Sequence, residues 1–117
     1  MADGGHVIFI SSGLTRFTYP GVALYAAVKG AIEVLTMYVA REFSSRRIRA
    51  NCVAPGALDT DFGGGRTDEQ RKSIGEQTLL GRVGQAEDIG LLIASLLSED
   101  SRWVNAQRIE VSGGMHV

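Results

Sequence analysis

The stretch Tyr25-Ala-Ala-Val-Lys29 holds two residues that can do proton chemistry together. On a helix, positions i and i+4 share a face, so a phenol and an ammonium at this spacing reach a common ligand. A free tyrosine phenol gives up its proton near pH ~10 and is a poor acid or base at neutrality. A neighbouring ammonium stabilises the phenolate and brings such a group toward the working range. Ser12, thirteen residues earlier, adds a hydroxyl able to bond the same substrate oxygen. Spacing alone does not separate this trio from an ordinary helix-surface pair near a serine.

The elements around these residues have to position them. Residues 6–11, HVIFIS, are β-branched and aromatic between glycines and predict a strand covered on both faces, as in a parallel sheet. Residues 22–43 run without proline and predict one long helix. At about 100° per residue, Leu24, Val28, Ala31, Ile32, Leu35, Val39 and Phe43 share a stripe expected to face the sheet. The opposite side, with Ala23, Ala26, Gly30, Val34, Met37 and Ala40, is also apolar, so a second covering surface is expected there, most simply another subunit. RIRANCVAPG, ending at Pro55-Gly56, predicts a second strand, and QRIEVSGG a third. Between them, Thr67 with Asp68 and Glu69 signals a capped helix start. A further helix follows, with Ile89, Leu92, Ile93 and Leu96 on its core face.

Strands alternating with helices predict an α/β parallel sheet with right-handed crossovers. Ligands of such sheets bind beyond the carboxyl ends of the strands. Here those ends are Ser11-Ser12-Gly13, Pro55-Gly56-Ala57 and Ser112-Gly113-Gly114, which should converge on one rim.

Composition narrows the classes. The 117 residues make one small domain, 44% hydrophobic and 21% charged, which excludes wholesale disorder. A formal charge of −1 gives no reason to expect nucleic acid or an anionic membrane as partner. Cys52, the single cysteine, has no internal partner and is expected in the core, consistent with a reducing cytoplasm. His6 and His116 have no metal-ligand spacing, and no metal is expected. Asp59 and Asp61 are expected on a solvated loop. Met37, Tyr38, Phe43 and Trp103 are expected as packing residues.

Taken together, Ser12, Tyr25, Lys29, the strand ending Pro55-Gly56 and Thr60 resemble the short-chain dehydrogenase/reductase family. PGVALYAAVKGAIEVLT, IRANCVAPGALDT and GRVGQAEDIGLLIASLLSED followed by RIEVSGG carry the resemblance over nearly the whole chain. It implies the C-terminal part of a Rossmann-like, doubly wound parallel sheet, with about three strands, one long helix and two to three shorter ones. Residues 1–117 would then be a single partial domain.

The resemblance further implies hydride transfer between NAD or NADP and a small carbonyl or alcohol substrate. Tyr25 would be the general acid or base, and Lys29 would bind the nicotinamide ribose and tune the phenol. Ser12 would hold the substrate oxygen. Pro55 and Gly56 would line the nicotinamide, the backbone at Leu58 would meet its carboxamide, and Thr60 would meet the amide or pyrophosphate. Residues 63–73 would form a substrate lid. Asn105-Ala106 stands where the family often has Thr-Gly, and Ser112 where it often has Asp.

The glycine-rich turn that seats the pyrophosphate in this family does not occur among these residues, nor does the family's catalytic asparagine. The expectation is therefore a C-terminal half, inactive alone. It should self-associate through the helix at 22–43 and through the strand edge at 6–11. A non-catalytic interaction fragment is the rival expectation.

Overall fold

The computed structural model describes residues 1–61 and 64–117. Three strands, β1 (His6–Ile10), β2 (Arg49–Pro55) and β3 (Arg108–Val111), form a wholly parallel sheet in the order β1-β2-β3. Helix α1 (Ala23–Glu42) links β1 to β2; α2 (Asp68–Glu76) and α3 (Ala86–Leu97) lie between β2 and β3. Thr67 caps α2, accepting from Gln70 N–H, and the Gln70 side chain accepts the Thr67 N–H in return. That capping box satisfies two donors left open at a helix start.

β2 is the centre of the sheet, and its alternation sorts the two faces. Val53 packs with Ile89 and Leu96 of α3, joined by Ile8, Ile109 and Val111. Ala50, Cys52 and Ala54 point the other way, toward α1, and all three are fully buried. The two helices therefore cover opposite faces. Because the strand order runs in one direction, crossovers on opposite faces have opposite hands, and one of the two departs from the expected right-handed form. The rule rests on a twisted strand feeding directly into its helix. The connection from β2 to β3, with a glycine-rich loop and two helices, is where that constraint is weakest.

The orientation of α1 also differs from the expectation. Its sheet-facing side carries Thr36 and Ala40, 1% and 5% exposed, whereas Leu24, Val28 and Leu35 stand in solvent at 80%, 54% and 47%. Both faces of this helix are apolar, so hydrophobicity does not choose between them. The small side chains of β2 do: they let a narrow face approach closely, and Thr36 returns its own hydroxyl to the Ile32 carbonyl at 2.8 Å. Met37, Tyr38, Phe43 and Trp103, expected to pack, are likewise exposed, Trp103 at 97%. By length and composition α1 is apolar enough to cross a membrane; here it packs on β1 and β2. The outer edge of β1 has no neighbouring strand among the described residues.

Candidate functional site

The three strand ends meet on one rim. A side chain on Gly13 would lie 3.4 Å from the Pro55 carbonyl oxygen, and one on Gly56 only 2.6 Å from Ser112 Cβ. Gly56 N–H also donates to the Val111 carbonyl at 3.0 Å. The glycine at the end of β2 is thus required by the close approach of β3.

On this rim, α1 brings Lys29, with Tyr25 beside it, up to the end of β1. Lys29 Nζ donates to the Ile10 carbonyl at 3.1 Å and lies 5.6 Å from the centre of the Tyr25 ring. The ammonium is held between the phenol ring and the tip of β1, two residues before Ser12. Ser11 Oγ, in turn, donates to the Lys29 carbonyl at 3.3 Å. The Tyr25 side of the helix is open, with the residue 42% exposed. Ser12 is buried, and its hydroxyl accepts from Leu14 N–H at 3.1 Å, capping a short 3-10 turn over Gly13–Thr15. Among the described residues no hydrogen bond joins that hydroxyl to Tyr25.

The remaining expected residues spread along the chain leaving β2. Pro55 and Gly56 are on the rim. Leu58 pairs with Gly84 through a bridge, and its side chain belongs to the core on the α3 side. Its carbonyl accepts from Arg66 Nε at 2.8 Å. Thr60 lines an open polar depression of about 610 Å³ with Asp59, Gly65, Arg66 and Arg71. Asp59, expected as a solvated loop residue, accepts from Arg71 Nε at 2.9 Å, an ion pair that ties the loop to α2. Of the proposed lid, Gly63 lies outside the described residues, as does Phe62 before it.

Sequence reasoning missed the charged groups under the rim. Glu33 pairs with Arg108 at 2.7 Å. Arg16 bonds both oxygens of Glu110 at 2.7 and 2.8 Å. The Arg16 guanidinium, helped by the Ser112 hydroxyl, holds the Glu110 carboxyl below its usual range. A signal existed for Glu33: it is an acid in the middle of an apolar helix, four residues after Lys29 and on the same face. Cys52 needs no such account, since burial pushes its thiol pKa up and leaves it unreactive.

A three-stranded parallel α/β sheet with helices on both faces is half of a doubly wound fold of the Rossmann class, whose ligands bind beyond the strand ends. A family model described as Enoyl-(Acyl carrier protein) reductase matches residues 1–116. The chain belongs to the short-chain dehydrogenase/reductase family. It is 41% identical over 112 residues to an NADPH-dependent aldehyde reductase-like protein, chloroplastic, of Arabidopsis thaliana, covering 95% of this chain and 42% of that protein. It is 38% identical over 116 residues to a 3-oxoacyl-(acyl-carrier-protein) reductase of Pseudomonas aeruginosa, covering 99% and 47%. Among solved structures, the angucycline C-6 ketoreductase LanV with bound NADP superposes with a TM-score of 0.90 at 38% identity, covering 99% of this chain and 45% of that one. The chain spans a little under half the length of these relatives.

Proposed function

We propose that these residues form the substrate-facing half of an NAD- or NADP-dependent oxidoreductase acting on a small carbonyl or alcohol. The observation that carries this is the seat of Lys29, fixed at the β1 tip by the Ile10 carbonyl and placed beside the Tyr25 ring. One ammonium proton is used there, which leaves two for the ribose hydroxyls of a nicotinamide nucleotide. When bound, the nicotinamide supplies or accepts the hydride.

This chain's own residues do the rest. In the reductive direction the Tyr25 hydroxyl delivers a proton to the carbonyl oxygen, and in the oxidative direction its phenolate takes one from the alcohol. Ser12 Oγ, which accepts from Leu14 N–H, keeps its own hydrogen to donate to the same oxygen and orient it. Lys29 holds the ribose beside the Tyr25 ring. Such general acid catalysis contributes roughly 10²–10⁴-fold.

The residues present fit the nicotinamide end of the cofactor, with Pro55 and Gly56 at the rim and Thr60 by a polar depression that opens to solvent. They include no glycine-rich turn for the pyrophosphate. We therefore expect the 117 residues by themselves to bind NADPH or NADH weakly at most and not to turn over.

The exposed apolar face of α1, with Leu24, Val28 and Leu35, and the free edge of β1 favour self-association into a homo-oligomer. Sedimentation as a stable, non-aggregating monomer would contradict that assignment. A reducing, cytoplasmic setting suits the unpaired, buried Cys52. The net charge favours neither nucleic acid nor a membrane surface as partner.

The test is Tyr25→Phe in the chain complemented with the N-terminal half of a family member. Turnover of NADPH or NADH with a carbonyl should fall about 10²–10⁴-fold, while cofactor fluorescence titrates with nearly the parent affinity. Turnover within about threefold of the parent would mean that the proton comes from another group.

A further inference from the structure

The polar groups under the rim form a chain that no part of the proposed chemistry uses directly. Glu33, on α1, and Arg108, on β3, pair at 2.7 Å with side chains only 17% and 27% exposed. They meet on the α1 face of the sheet, next to the fully buried Cys52, whose register partner is Arg108. From this pair two contacts run to consecutive residues at the end of β1. Glu33 Oε2 accepts from Ser11 Oγ at 2.5 Å. Arg108 Nη2 donates to the Ser12 carbonyl at 3.3 Å and to Thr15 Oγ1 at 2.9 Å. The start and end of the turn that Ser12 caps are therefore held by one guanidinium.

An ion pair is a poor way merely to glue a helix to a sheet. Apolar side chains of the same volume commonly stabilise as well or better, because two charges must be taken out of water. What the charged pair adds is direction, since each bond fixes a donor and an acceptor along a line. Here the lines end on Ser11 and Ser12, and they start one helical turn beyond Lys29, on the helix face Lys29 shares.

We propose that Glu33 and Arg108 are positioning residues: through the Ser11 hydroxyl and the Ser12 carbonyl they set where the Ser12 hydroxyl sits relative to Tyr25 and Lys29. The proposal rests on the reading of the site given above. Its direction is specific. Without the Glu33 charge, Arg108 Nε loses its 2.7 Å partner and the guanidinium keeps only the looser contact with Glu110, at 3.4 Å, so its aim on the Ser12 carbonyl is no longer fixed. Arg16, the residue after the turn, keeps its own tie to Glu110, so the turn at Gly13–Thr15 loses the hold on Ser12 and Thr15 while its outer end and the sheet ladder stay in place.

Amide hydrogen exchange read by NMR on the 117-residue chain tests this. Leu14 N–H donates to Ser12 Oγ itself, so its rate reports on the hydroxyl. In Glu33→Gln and in Arg108→Gln, the Leu14 and Thr15 amides should exchange about tenfold faster than in the parent. The Cys52 and Val53 amides of β2 should keep their rates. The double variant should be no faster than either single one, because the two residues act as a unit.

Unchanged rates at Leu14 and Thr15 would overturn the proposal. So would equal acceleration in β2, which would make the pair a general brace, or additive effects in the double variant. Should Glu33→Gln not fold, Glu33→Asp keeps the charge and shortens the reach; acceleration confined to Leu14 and Thr15 supports the proposal, and none there overturns it. None of these readouts needs a cofactor or turnover, so their failure is separable from that of the catalytic reading, which Tyr25→Phe decides.

Discussion

Replacing Gly56 by alanine should damage the rim in a way the structure allows to be sized. The new Cβ would sit 2.6 Å from Ser112 Cβ and 2.9 Å from Ser112 Cα. Carbon atoms rest at about 3.5–4.0 Å, so the ends of β2 and β3 must part by roughly 1 Å. Gly56 N–H donates to the Val111 carbonyl at 3.0 Å across the same gap, and such a displacement takes that bond out of range. The lost bond costs about 1 kcal/mol, and overpacking adds about 1–3 kcal/mol. A total near 3 kcal/mol is a large share of the stability of a small domain. It lowers the melting temperature by about 10 °C.

Gly90 is the control. It lies inside α3, exposed, with nothing within 4 Å of a Cβ, so Gly90→Ala should raise stability by about 1 kcal/mol through helix propensity. Thermal melts followed by circular dichroism compare the two. A Gly56→Ala chain that melts with the parent, or shifts in the same direction as Gly90→Ala, would refute the claim that β3 crowds the end of β2.

Ala106 adopts φ +58°, a left-handed conformation that an L side chain pays for; Ala106→Gly should stabilise the chain by about 1 kcal/mol, seen as a higher urea midpoint. Asn51 is fully buried, donates to the Val104 carbonyl at 2.9 Å and accepts Gln107 N–H at 2.9 Å. Asn51→Ala strands both groups and should cost about 2–4 kcal/mol in denaturant unfolding. His6 contacts Asn51 Nδ2, a donor, through Nε2 at 2.8 Å, so the imidazole must be neutral there. Burial first, then the Arg49 charge, lower its pKa below the ordinary 6.5. The sign follows: the unfolded chain takes up the proton at a higher pH than the folded one, so stability is full above pH ~6.5 and falls as the pH drops through the folded value. Melting scans across that range should show a loss that His6→Asn removes.

The local parts of this protein were legible in its residues. A β-branched run between glycines became β1, the segment ending at Pro55-Gly56 became β2, Thr67 became a reciprocal cap, and Tyr25 and Lys29 fell one turn apart on a helix, because each depends on neighbours within a few positions. The convergence of the three strand ends followed from parallel topology. Only the tertiary structure decided which side of α1 turns inward. Two apolar faces competed, and small side chains on β2, a separate element of the chain, selected the one with Thr36 and Ala40. The opposite hands of the two crossovers and the Glu33–Arg108 pair belong to the same class. Each joins separate elements of the chain, and pattern within one element carries no record of what the other will present.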